Sequence, residues 1–139
     1  MNSNKFKEEG NKQFIKGNYK EAIELYSKAI EKSPHVSIFY TNRALCCMKM
    51  NQWNMCIDDC KHAIEYDPRS VKAFFYMGQS LIELYNYDEA IIYLKKSFDL
   101  SKEMNENYGD EISRQIRIAK RKRWNSIEEK RIQKETILK

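Results

Sequence analysis

The feature that most constrains this chain is a period. The interval between its two prolines, Pro34 and Pro68, defines a window that fits three times without a gap, as 3–36, 37–70 and 71–104. The fourth slot of the windows holds Phe6, Tyr40 and Phe74; the eighth holds Gly10, Ala44 and Gly78. Slot seventeen holds Tyr19, Trp53 and Tyr87, and slot twenty holds Ala22, Cys56 and Ala90. Tyr26, Cys60 and Leu94 follow at slot twenty-four, then Ala29, Ala63 and Ser97 at slot twenty-seven. Pro34 and Pro68 close the first two windows, and Lys102 takes their place in the third. Self-similarity at a fixed period means stacked copies of one supersecondary unit.

The unit is a pair of antiparallel helices. Ala22, Ile23, Tyr26, Ala29 and Ile30 recur at i, i+3, i+4, i+7 and i+8, the spacing of one helical face. Small side chains at slots eight and twenty let the two helices approach closely, and large ones at slots four, seventeen and twenty-four fill the space between them. Proline at the end stops the second helix, because it lacks an N–H and disfavours helix in the residue before it. The period and these slots resemble the tetratricopeptide repeat. That resemblance implies an all-α, right-handed superhelix of three helix-turn-helix repeats.

Beyond the third window, Gly109 and Asp110 read as a turn and helix N-cap, after which nothing breaks helix to Lys139. A seventh helix over 110–139 is therefore expected. Its stripe of Ile112, Ile116 and Ala119 is suited to covering the otherwise bare end of the stack. Past Trp124 the stripe thins, so that part is expected to project or to pack on something outside the chain. From Ile112 onward there are ten Lys/Arg against three Asp/Glu; the chain before it holds fifteen against seventeen, a net −2. A basic helix thus follows a nearly neutral body. The two readings of that asymmetry are a solvated helix and a surface for nucleic acid or anionic lipid, with Arg114, Arg117 and Lys120 to Arg123 as its cations. The same run also fits a nuclear localisation signal.

Other classes find little support. At 139 residues one domain is expected, and 4 Gly with 2 Pro are too few for the turns of an all-β sandwich or barrel. No apolar run approaches the roughly 18 residues of a membrane span, and the first residues, Met1 to Lys7, lack the apolar core of a secretory signal. Cys47, Cys56 and Cys60 occupy packing slots and Cys46 is adjacent, which predicts buried thiols in a reducing compartment rather than a zinc site. His35 and His62 have no evident Ser, Cys or Asp partner, so no catalytic set, cofactor or metal is expected.

The polar residues of the first helices of each pair are more informative, since those helices line the concave face of such a stack. Lys7 and Asn11 are i, i+4 neighbours, Asn42 lies on the second such helix, and Lys72 begins the third. Two ammoniums and two amides with no acidic partner among them are suited to an anion rich in acceptor oxygens, because charge-assisted hydrogen bonds are the strong ones. These four residues match the two-carboxylate clamp of chaperone-binding tetratricopeptide domains. The resemblance implies that they grip the C-terminal Asp of heat-shock chaperones of the seventy- and ninety-kilodalton classes. The family's fifth, basic position is Tyr76 here, an aromatic that points to the CHIP family of chaperone-binding U-box ubiquitin ligases.

The likeness to that family runs from about Phe6 to the end of the chain. It is closest over Tyr40-Thr-Asn-Arg-Ala-Leu, Ser70-Val-Lys-Ala-Phe-Phe and Arg121-Lys-Arg-Trp-Asn-Ser-Ile-Glu-Glu-Lys-Arg. It implies that Phe14, Ile38, Leu45, Phe75 and Tyr108 form apolar floor and walls for the bound tail, with polar contacts from Gln79 and Glu111; core packing is the alternative for Phe14 and Leu45. It further implies a cytoplasmic protein, possible in the nucleus too, that continues through a helical hairpin into a U-box engaging a ubiquitin-conjugating enzyme. No U-box is present in these 139 residues, so this segment is expected to be a monomeric, non-catalytic binding module. An adaptor without ligase activity is the competing expectation.

Overall fold

The computed structural model describes residues 1–138. The chain forms seven α-helices among these residues and no strand: α1 (Ser3–Ile15), α2 (Tyr19–Lys32), α3 (Ser37–Lys49), α4 (Trp53–Tyr66), α5 (Val71–Glu83), α6 (Tyr87–Glu103) and α7 (Gly109–Leu138). The period of the sequence reappears in the elements. Helices α1, α3 and α5 each begin one full repeat after the last, and so do α2, α4 and α6. Each helix packs on its neighbours in the chain, while α3 also meets α5 and α5 meets α7.

The turn inside each pair is made the same way. Gly17, Asn51 and Tyr85, all in the fifteenth slot, take left-handed backbone with φ of 82°, 58° and 64°. The next residue then donates its N–H back across the helix end, Asn18 to Gln13 O at 2.9 Å, Gln52 to Cys47 O at 2.8 Å and Asn86 to Leu81 O at 2.9 Å. This is the Schellman closure, which satisfies carbonyls that the last turn leaves without partners. Pro34 and Pro68 follow the ends of α2 and α4. With Lys102 in the corresponding slot, α6 runs on through Glu103 before a left-handed Asn105 closes it.

Close approach within a pair rests on reciprocal sizes. A β-carbon on Gly10 would lie 2.6 Å from the Tyr26 ring, and one on Gly78 would lie 2.5 Å from Leu94 Cγ. In the middle repeat the same two slots hold Ala44 and Cys60, both fully buried. A large residue at slot twenty-four thus faces glycine at slot eight, while a smaller one leaves room for alanine. Such interdigitation is what a close-packed interior requires.

The main core lies between the second and third pairs, around Ala44, Cys60, Met77, Leu81 and Leu94, and receives Ala119 from α7. A second cluster joins Val71, Phe74 and Leu100 to Ile112. The first pair has only the smaller group of Ala22, Tyr26 and Cys46, with Phe14 and Tyr19 against it. One ion pair reinforces the middle. Arg43 of α3 donates to both carboxylate oxygens of Asp59 on α4, at 2.9 and 2.7 Å, and Asp59 is buried.

The first half of α7 covers α6, burying Ile112 and Ala119. The helix starts a residue earlier than the sequence suggests. Gly109 and Asp110 lie in its first turn rather than before it, and the loop comprises Met104 to Tyr108. Asp110 with Glu111 there places negative charge where the helix dipole favours it. Beyond Ala119 the helix becomes exposed, Trp124 by 63% and Leu138 by 78%. Lys139 lies outside the described residues.

Candidate functional site

Two concavities hold most of the residues singled out from the sequence. The first, about 330 Å³, opens where α3 and α5 begin and the loop between α6 and α7 passes over them. Ile38, Lys72 and Tyr108 line it. Ile38 is half exposed, and Tyr108 is open to solvent as well. Ser70 caps α5, its hydroxyl accepting from Ala73 N–H at 3.2 Å. Two helix N-termini therefore face the depression, and their unpaired N–H groups favour an anion there.

Arg69, which sequence reasoning missed, also lines this depression and shares its rim with Asp67 and Glu106. The Asp67 carboxylate is partly occupied, accepting from Arg69 N–H at 3.1 Å. The Arg69 guanidinium reaches Glu103 at 3.3 Å. Lys72 has no such tie: among the described residues neither Lys7 nor Lys72 enters an ion pair.

The second cavity, about 570 Å³, lies among α3, α5 and α7. Leu45, Phe75, Tyr76 and Gln79 line it. The opposite wall comes from α7, through Gln115, Ile118 and Lys122, none of which had a repeat slot to mark it. Burial pushes the Tyr76 hydroxyl up to about 12, helped by Cys60 and Tyr108 nearby. It therefore stays a neutral donor at ordinary pH, whereas the basic residue of the family pattern would bring a charge.

The remaining candidates lie outside both cavities. Lys7 is half-buried on α1; Asn11, one turn on, accepts a 2.5 Å hydrogen bond from the Tyr26 hydroxyl through Oδ1. That bond orients the amide so that its NH₂ remains free to donate. Asn42 is half-buried on α3. Phe14 packs edge-on to Tyr19 at 5.4 Å within the first-repeat core, which is the packing alternative. Glu111 is engaged by Arg114 and by Gln115 Nε2 at 3.4 Å on its own helix.

The cysteines lie in the packed interior and the histidines against aromatic rings. All four thiols are free and buried. Burial raises Cys46 to about 11 and Cys47 to about 12, so both are weak nucleophiles. His62 stacks on Tyr40 at 5.3 Å, and His35 meets the Tyr66 ring at 5.0 Å. No group of three or more His, Cys, Asp or Glu among the described residues is placed to hold a metal ion.

Three helix pairs on one fixed period, a covering seventh helix and concave openings flanked by the first helices of the pairs define a tetratricopeptide-repeat superhelix. The chain belongs to the repeat family whose model is described as anaphase-promoting complex, cyclosome, subunit 3, which matches residues 15–97. Among curated proteins it is similar to the E3 ubiquitin-protein ligase CHIP of Arabidopsis thaliana, 34% identical over 125 residues, covering 88% of this chain and 45% of the relative. The chain thus spans less than half the length of that protein. Among solved structures it resembles the TPR2B domain of yeast Sti1 in its pHsp70 complex, with a TM-score of 0.83 and 27% identity over 86% of this chain and 96% of that one. It also resembles the first TPR of Spaghetti (RPAP3) bound to the HSP90 peptide SRMEEVD, with a TM-score of 0.79 and 25% identity over 86% and 90% of the two chains.

Proposed function

We propose that this domain captures the acidic C-terminal tails of Hsp70- and Hsp90-class chaperones in a preformed groove. The observation that carries this reading is the location of Lys72, free of any ion pair among the described residues, beside Ile38 and Tyr108 at the two helix starts. Support comes from the likeness to two domains whose structures contain chaperone peptides. In the mechanism the tail enters extended. Its terminal carboxylates are gripped by Lys7, Asn11, Asn42 and Lys72, and its preceding residues lie along Ile38, Leu45, Phe75 and Tyr108. Tyr76 and Gln79 donate neutral hydrogen bonds to the acidic residues upstream.

An extended tail pays an ordering cost on binding, so micromolar affinity, about −8 kcal/mol, is expected. Removing one ammonium leaves a desolvated carboxylate unpaired, at about 2–4 kcal/mol. Lys72→Ala should therefore weaken a tail peptide thirtyfold or more while the melting temperature stays unchanged. Wild-type affinity in that variant would refute the clamp.

The identity to the Arabidopsis thaliana ligase covers 88% of this chain, more than the three repeats alone could supply, which favours a finer reading. In it the chain is the cytoplasmic, monomeric targeting segment of a CHIP-like ubiquitin ligase, whose U-box and conjugating enzyme lie outside these residues. Ubiquitin transfer to a tail-bearing chaperone by the protein's longer form, lost with Lys72→Ala, is the expected result. A longer form that binds the chaperone without modifying it would instead be an adaptor.

A further inference from the structure

A second surface, outside the depression that holds Lys72, is formed where the corner between α5 and α6 meets α7. Between Glu111 and Glu128 the helix carries six cations and no carboxylate. Arg114 is engaged by Glu111, and Arg123 by Asp88 of α6 at 2.6 Å. Arg117, Lys120, Arg121 and Lys122 have no ion-pair partner among the described residues. Helical spacing puts Arg117, Arg121 and the exposed Trp124 on one face, at i, i+4 and i+7, about a third of a turn around the helix from Lys122, Asn125, Ser126 and Glu129.

The facing corner contains an anomaly. Tyr85 takes left-handed backbone in the slot that Gly17 and Asn51 fill in the other repeats. Glycine and asparagine tolerate that conformation; a bulky aromatic is disfavoured there. Packing does not explain the choice, because Tyr85 is 80% exposed. Its ring instead lines a cleft of about 400 Å³ with Tyr87, Lys122, Asn125, Ser126 and Glu129. The Arg123–Asp88 pair ties the start of α6 to α7 beside this cleft. From the sequence alone Trp124 is the one aromatic near the basic run; folding brings two tyrosines to it.

We propose that this surface binds single-stranded nucleic acid. Exposed aromatic faces supply stacking platforms that any unpaired base fits, and the unpaired cations along α7 supply phosphate contacts. The cleft beside Tyr85 and Lys122 has an amide, a hydroxyl and a carboxylate, which suit the hydrogen-bonding edge of a base and would be left unsatisfied by an acyl chain. A duplex, whose bases are already stacked, offers nothing to Tyr85. Lys122 lines both this cleft and the larger cavity, so the variants below are taken from residues that line neither cavity of the tail-binding reading.

The test is fluorescence anisotropy of a labelled oligouridylate of about ten nucleotides, titrated with the whole chain at several salt concentrations. With four phosphate contacts, log K should fall against log salt with a slope of about −3. Tyr85→Asn removes the ring but suits the backbone, so it should keep the fold while weakening binding about tenfold, as should Trp124→Ala. Arg121→Ala should flatten the salt slope, and all three should bind a chaperone-tail peptide like wild type. Absence of binding at low salt, or undiminished binding by Tyr85→Asn and Trp124→Ala, would overturn the proposal. So would equal affinity for a duplex or for heparin, which marks a generic polyanion surface. Binding to phosphatidylserine vesicles without binding to the oligonucleotide would assign the surface to membranes instead.

Discussion

The repeat body and α7 are built on opposite rules. In the body, each position answers to its equivalents one repeat away, and small and large side chains alternate so that each pair closes tightly. Helix α5 buries eight of its 13 residues. In α7 the period ends: the helix buries two of 30, using Ile112 and Ala119 to cover α6 and then leaving the body. The difference separates what holds the fold together from what is free to meet a partner. Specific packing gives the body a rigid concave face, while the seventh helix, relieved of packing after its first half, can devote its surface to charge.

Breaking the body should cost most at its buried charge. Arg43→Ala strands the Asp59 carboxylate, which is buried and doubly hydrogen-bonded to the lost guanidinium, and should destabilise the domain by about 3–5 kcal/mol in denaturant unfolding. A loss under about 1 kcal/mol would show that the pair is dispensable. At the junction of the two regions, Ile112→Ala opens a cavity against Val71, Phe74 and Leu100, for about 2–4 kcal/mol. A value that large from the first turns of α7 would show that covering the stack is part of the core.

Glycine replacements sharpen the contrast within the body. Gly78→Ala drives a methyl into Leu94, which is fully buried, with the Ala90 carbonyl oxygen 3.3 Å away; overpacking of this kind costs about 1–3 kcal/mol. Gly10→Ala meets the Tyr26 ring first, at the free end of the stack, where α1 can shift, so its cost should be smaller. Equal losses would mean that the end is as rigid as the centre. The smallest effect belongs to the projecting part of α7. Deleting the chain after Ile127 removes side chains that are mostly exposed and should change stability by no more than about 0.5 kcal/mol. A larger loss would show that this half supports the fold.

What could be read in advance followed the same division. The Gly10–Tyr26 and Gly78–Leu94 contacts were legible because they recur: glycine at one slot faces a large residue at another in the first and third copies, while the middle copy pairs Ala44 with the smaller Cys60. Lys72, Ile38 and Tyr108 line one depression, and Leu45, Phe75, Tyr76 and Gln79 line another. Arg43 and Asp59 escaped notice because their slots hold Glu9 and Leu25 in the first repeat and Met77 and Tyr93 in the third. A pair present once leaves no periodic trace. The α7 wall of the larger cavity was hidden for the same reason. Tyr85 sat in plain view in a slot of glycine and asparagine, but only the fold shows that its ring faces solvent beside a basic helix.

The central claim is that the concave face grips a free C-terminal carboxylate, and calorimetry tests it most directly. The domain should be titrated with a peptide ending Ile-Glu-Glu-Val-Asp and with the same peptide amidated at its C-terminus. Micromolar binding of the free acid, lost on amidation, is the predicted result. Equal binding of the two peptides, or of neither, would contradict the account.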